Sequence, residues 1–182
     1  VLEGLVIDID NDPNSMETGR RLAKMYILEL MSGRYNPIPK ATAFPNDSTT
    51  AYKGLLTVRS EIVSMCSHHH QPVKGVAYIG IIAGDTLIGL SKYTRIAQWC
   101  AKRGTLQEEL AMDICREIMK ATNSENVGVY VQATHGCVEH RGIEAHSSLT
   151  QTTVLEGAFA DDPATKKEFM DNIKLQQQYA PK

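Results

Sequence analysis

The hydrophobic pattern of this chain predicts an α+β fold, an antiparallel sheet with helices on one face. Two observations predict it. Four runs read as strands from their alternation and β-rich composition, and two segments with helical spacing lie between the second and third of them. The resulting order, ββααββ, suits a four-stranded antiparallel sheet under a helical layer. Such a sheet keeps two edges and an open face, so association of copies is expected.

The first helix is expected to begin near Ser15–Thr18 and run through RRLAKMYILELM to Ser32-Gly33, with Gly33 as the residue that ends it. Pro37, Pro39, Pro45 and the polar stretch 46–50 then read as a loop. Residues 1–50 are thus expected to form a helix-and-loop arm, and 51–182 the main domain. From Leu55 to Met65, Val58 and Ile62 alternate with Thr57, Arg59 and Glu61, the mark of a strand. Residues 73–82 (VKGVAYIGII) are a second β-rich run. Helices are expected over Tyr93–Lys102 and Leu106–Ala121, broken at Arg103-Gly104; Leu106, Leu110, Ile114 and Ile118 share a face of the second. Thr105 and Glu108 have the spacing of a capping box at its start. Strands follow at Val127–Ala133, with alternate residues on one side, and at Ser148–Leu155. Asp162-Pro163 supplies an N-cap and a first-turn proline for a last helix.

The 182 residues carry a formal net charge of −2 and about 42% apolar side chains. That balance describes a globular protein and gives no reason to expect binding to nucleic acid or to an anionic membrane. No apolar run approaches the roughly 20 residues that span a bilayer. The acidic residues 1–14 lack the character of a signal peptide, so a reducing, cytoplasmic setting is expected. There, paired cysteines serve as ligands or catalytic groups more often than as disulfides. Cys100 and Cys115 fall in helical segments and read as small buried apolar groups.

Cys66 and Cys137 keep different company. All six histidines lie between positions 68 and 146. Cys66-Ser67-His68-His69-His70 sits at a strand end, and His135-Gly136-Cys137 follows another strand. A turn lets Cys66 and His69 converge on one ion, and Cys137 can add a third ligand from a neighbouring strand. Three N/S ligands leave one position open, as in catalytic zinc sites. Water bound there would have a pKa near 7 and act as a nucleophile. Alone, C-x-x-H is a weak signal, since a surface histidine run beside a buried thiol looks the same; the second Cys/His cluster tips the balance toward a metal. Between the clusters, Lys92 and Arg95 share a face at a helix start, where anions are favoured. Arg21 and Arg141 are further cations that only the fold can bring near.

Together these pieces resemble the GTP cyclohydrolase I family over nearly all of residues 15–175. The carriers are Met16-Glu17-Thr18 with Arg21 and AKMY at 23–26, Cys66-x-His68-His69, IGLSK at 88–92, Arg95-Ile96, Gln107-Glu108, His135-x-Cys137 and Arg141-Gly142-Ile143. The resemblance implies a tunnelling fold whose ββααββ subunits close a five-membered β-barrel ring, two rings stacking into a decamer with active sites between subunits. It also implies conversion of GTP and water to formate and 7,8-dihydroneopterin triphosphate. By position, Cys66, His69 and Cys137 would bind Zn2+, whose hydroxide attacks C8 of the guanine. His68 and His135 would carry protons, and Glu108 would accept from the guanine N1 and 2-amino groups with Gln107 beside it. Ser91, next to Leu90 of the same motif, would lie near the ribose, and Lys92, Arg95, Arg141 and Arg21 would hold the triphosphate. Folate synthesis, a reduced pterin cofactor and 7-deazaguanine formation all begin at this reaction.

The sequence departs from the family's pattern in places. Ser67 stands where the family's Cys-Glu-His-His has Glu, removing a carboxylate of the kind that orients metal ligands. Gly19-Arg20 replaces a Pro-His pair, Glu144-Ala145-His146 is unusual, and the N-terminal helical extension of the family's bacterial members is expected to be short or missing. The alternatives are a tunnelling-fold paralogue acting on another purine or pterin, and a ring-forming member without turnover.

Overall fold

The computed structural model describes residues 1–47 and 51–179, so the end of the polar stretch 46–50 and the tip of 51–182 lie outside the described residues. Helix α1 spans Thr18–Met25 and continues through a wider π-type turn at Tyr26–Leu30 and a tight turn at Ser32–Arg34. Gly33 does not end this helix in a left-handed turn, as the sequence suggested. It is buried, its N–H donates to the Lys102 carbonyl at 2.8 Å, and a Cβ there would stand 2.3 Å from the Trp99 carbonyl oxygen. The glycine is needed for close approach. The arm is thereby held to the body, and Arg34 and Trp99 reinforce the contact by donating to the carbonyls of Arg103 and Asn36.

A short strand β1 (Ala43–Pro45) pairs with β4 (Thr86–Ile88). The main sheet holds β2 (Leu55–Met65), β3 (Pro72–Ile82), β5 (Val127–His135) and β6 (Thr150–Leu155), antiparallel in the order β2-β3-β5-β6. Helices α2 (Leu90–Ala101) and α3 (Gln107–Thr122) cover one face, as the pattern predicts. Ile79, Ile81, Val129 and Val131 from the sheet meet Ile96, Leu110, Ile114 and Ile118 there. Each such side chain contributes roughly 1.5–3 kcal/mol on burial. Cys100 and Cys115 lie in this core, and burial pushes both thiols up to about 12, which makes them inert packing groups.

The opposite face is not wholly open. After the one-turn helices α4 (Gly136–Glu139) and α5 (Ala158–Asp161), α6 (Pro163–Tyr179) crosses it. Asp162 caps α6 as expected, accepting the Ala164 and Thr165 N–H groups at 3.1 and 3.0 Å. Phe159 and Phe169 meet edge to face and seat on Gly80 and Gly128, which are paired across the sheet. Two adjacent glycines make a notch in a surface of alternating side chains, and the aromatic rings fill it. Among the described residues, both sheet edges, β2 and β6, are unpaired. No helix among the described residues is long and apolar enough to cross a membrane.

Candidate active site

The turn between β2 and β3 builds the first half of the site. The last rung of the hairpin pairs Met65 with Pro72. Beyond it, the Cys66 N–H donates to the Gln71 carbonyl and the His70 N–H to the Cys66 carbonyl, both at 2.9 Å. His70 takes a left-handed conformation, φ 50°, which turns the chain back into β3. One helical turn thus separates Cys66 from His69, and their side chains converge. The His70 ring packs against Tyr26, tying this turn to the N-terminal arm.

The second half comes from the end of β5. Val73 pairs with His135, so the chain leaves β5 directly beside the hairpin turn. At Gly136 a Cβ would lie 3.2 Å from the Pro72 carbonyl oxygen and 3.3 Å from the Gln71 side chain. A glycine there lets α4 start close against the hairpin and brings Cys137 to Cys66. The ligand atoms of Cys66, His69 and Cys137 all lie within 4.8 Å of one another. The two sulfurs are 3.8 Å apart. A disulfide would hold them at about 2.05 Å. Two sulfurs bound at about 2.3 Å to one tetrahedral ion stand about 3.8 Å apart. The donor set therefore fits a metal ion of zinc's size and softness.

Beside this cluster lies a cavity of about 220 Å³ lined by Cys66, His68, Glu108, His135 and Cys137, with Thr105 and Gln107 at the start of α3; His69, exposed, does not line it. Burial pushes the His135 imidazole below its ordinary pKa, against the opposing charges of Glu108 and Glu139. Its neutral form is the one present at pH 7. Burial, then the neighbouring Cys66, pushes the Cys137 thiol up. The His135 Nε2 lies 2.7 Å from Gln107 Oε1.

The structure corrects the expected capping box. Leu106, not Thr105, precedes the first turn of α3, and the Glu109 carboxylate accepts the Leu106 N–H at 3.3 Å. Glu108 takes no part in the cap and faces the cavity, exposed. Gln107 stands beside it as expected, but its amide is buried and bonded to β5 and β6. Sequence reasoning missed those partners, Val131, Thr150 and Thr152, because only the register of β5 on β6 brings them to the end of α3. The other expected residues are not in this cavity. Leu90, Ser91, Lys92 and Arg95 sit at the N-terminus of α2, and Leu90 is 64% exposed beside a separate apolar hollow with Phe44 and Tyr52. Arg141 is exposed on the loop after α4, close enough for its charge to act on Cys137. Arg21 is held in the arm, donating to the Asn14 carbonyl at 2.6 Å.

A Cys-His-Cys set spaced to hold a metal ion, flanked by histidines and a carboxylate on an antiparallel α+β frame, defines the class of site. The chain belongs to the GTP cyclohydrolase I family, whose model matches residues 2–174. It is 40% identical to GTP cyclohydrolase 1 of Flavobacterium johnsoniae, an alignment that covers 98% of this chain and 79% of that protein. The GTP cyclohydrolase 1 proteins of Aeromonas salmonicida and an Enterobacter species are 35% and 36% identical over 96% of this chain, covering 79% and 78% of their own lengths.

Proposed function

We propose that this chain is a zinc-dependent GTP cyclohydrolase that opens the guanine imidazole ring of GTP with water, releasing formate and 7,8-dihydroneopterin triphosphate. One observation carries the reading: the sulfurs of Cys66 and Cys137 stand at metal-sharing distance beside His69, in the cavity that also holds His68, His135 and Glu108. Bound zinc would supply the Lewis acidity that makes water a nucleophile toward C8 at neutral pH. In this reading Glu108 accepts from the guanine N1–H and 2-amino groups, because an ionised carboxylate offers two acceptor oxygens to two adjacent donors. His135, neutral through burial, and His68 carry protons during ring opening and loss of formate. Ser91, with Leu90, lies near the ribose, Gln107 stands beside Glu108, and Lys92, Arg95, Arg141 and Arg21 hold the triphosphate.

The cavity of one protomer is smaller than the roughly 300–1,000 Å³ of ordinary ligand pockets, and four of the anion-binding candidates lie outside it. Both facts support an active site completed by a second copy, with the unpaired edges β2 and β6 joining protomers into pentameric rings and the rings into a decamer. Residues 51–182 would be the catalytic domain, residues 1–50 its arm, and the cytoplasm its compartment. The test is direct. Purified protein should carry about one zinc per chain and release formate from GTP together with a product that becomes a fluorescent pterin on oxidation. Protein that holds no zinc and yields no formate would overturn the proposal.

A further inference from the structure

Gln107 opens α3 with its side chain 4% exposed and both ends of its amide engaged. The nitrogen lies 3.3 Å from the Val131 carbonyl oxygen, 3.2 Å from that of Thr150 and 3.0 Å from the Thr152 hydroxyl. Carbonyl oxygens only accept, so the NH2 end must face them; the flipped amide would set oxygen against two oxygens. The amide oxygen is therefore the end that faces His135 Nε2 at 2.7 Å. That oxygen cannot donate. The hydrogen of this bond belongs to the imidazole, and neutral His135 carries it on Nε2.

From this geometry we infer that Gln107 is a positioning residue that fixes His135 as its Nε2–H tautomer, leaving Nδ1 as the ring nitrogen that accepts a proton. The inference rests on the proposed role of His135 as a proton carrier. A neutral imidazole without such a partner divides between two tautomers, only one of which presents its lone pair in a given direction. Here the acceptor is anchored to two strands and cannot follow the ring if it turns. The next residue in the chain is Glu108, so one rigid helix start sets both the guanine-reading carboxylate and the proton-carrying nitrogen.

Nitrogen NMR of the imidazole rings, in zinc-loaded protein with labelled histidine, reads the tautomer directly; His135→Gln identifies the signal. Native protein should show His135 protonated on Nε2. Gln107→Met keeps the length and removes the acceptor. It should give mixed tautomers and a kcat lower by about a hundred-fold, with KM for GTP within about three-fold of native. Gln107→Glu keeps an oxygen facing Nε2 and loses the donors to Val131 and Thr150. It should retain the Nε2–H tautomer and a higher kcat than Gln107→Met, although it is the less stable protein. A role in packing alone reverses that order, because apolar Met suits a buried site and Glu does not. A native His135 protonated on Nδ1, or a kcat for Gln107→Met equal to or above that of Gln107→Glu, overturns the inference. If neither variant folds, the native spectrum decides. Native protein with the Nε2–H tautomer but no action on GTP would refute the proposed function and leave the tautomer assignment standing.

Discussion

Replacing Glu108 by Gln tests whether the cavity reads a purine edge. Glu108 is exposed at the mouth of the cavity and lies outside the helix cap, so its loss should leave the fold intact. The ionised carboxylate offers two acceptors. The amide keeps one and turns an NH2 group toward the second guanine donor. One charge-assisted hydrogen bond is worth about 1.5–3 kcal/mol. With the weakening of the remaining bond, the loss comes to about 2–4 kcal/mol, or roughly 30- to 700-fold in kcat/KM. Glu108 also holds the His135 pKa up against burial, so removing its charge lowers that pKa further and leaves His135 neutral at pH 7. The kinetic loss is therefore a loss of recognition. Glu109→Gln is the control: its carboxylate caps Leu106, so it should cost up to about 1 kcal/mol of stability and leave the kinetics near native. Inosine triphosphate, which lacks the 2-amino donor, should lose less than GTP on the Glu108→Gln change. The assays are pterin fluorescence for turnover and calorimetry for Tm. A kcat/KM within three-fold of native, or an equal kinetic loss in Glu109→Gln, would refute the assignment.

Other substitutions separate metal binding from proton transfer. Cys137→Ala should lose stoichiometric zinc on dialysis, whereas His135→Ala should keep its zinc and lose about 10²- to 10⁴-fold in kcat; metal analysis of both proteins checks this. Zinc affinity should fall as pH falls. The metal-free Cys137 thiol is held above its ordinary pKa, so it is protonated at neutral pH and zinc must displace that proton. Each displaced proton makes affinity change about tenfold per pH unit below the thiol pKa, readable by competition with a chromophoric chelator; a flat profile would contradict it. Gly80→Ala would place a Cβ 2.7 Å from the Phe169 ring, which, like Phe159, is fully buried and has no room to shift. It should cost about 1–3 kcal/mol, seen as a lower Tm with zinc content unchanged.

Much of this was legible in the residues, and the limits have physical causes. Alternation marked β2 and β5 because each has one face in the main core, and the Asp162-Pro163 cap fixed the start of α6. Cys66, His69 and Cys137 were readable because two sit one turn apart and the third follows a strand end. Contacts set by register were not. Nothing in the local sequence says that Gln107 reaches Thr150 and Thr152, or that Gly80 and Gly128 meet to seat two phenylalanines. Gly33 misled because an end-of-helix glycine and a close-approach glycine look alike until the neighbouring carbonyl is in place. The capping box failed by one residue, and that shift left Glu108 facing the cavity.

The proposed site divides into two halves. The half proposed to hold the metal and the purine, the Cys66–His69–Cys137 cluster and the cavity with Glu108, is built inside one protomer by the β2–β3 turn, the end of β5 and the start of α3, all held by backbone register. The anion-binding candidates at the start of α2 lie outside that cavity. If a second copy supplies the triphosphate half, the two properties should part on dissociation. Dilution or interface mutation that yields single protomers should abolish turnover of GTP while each chain still binds its zinc, since all three ligands are its own. Sedimentation run beside metal analysis and activity at each concentration makes the test. Fully active isolated protomers would show that the cations reach the nucleotide within one chain and that the divided site is wrong.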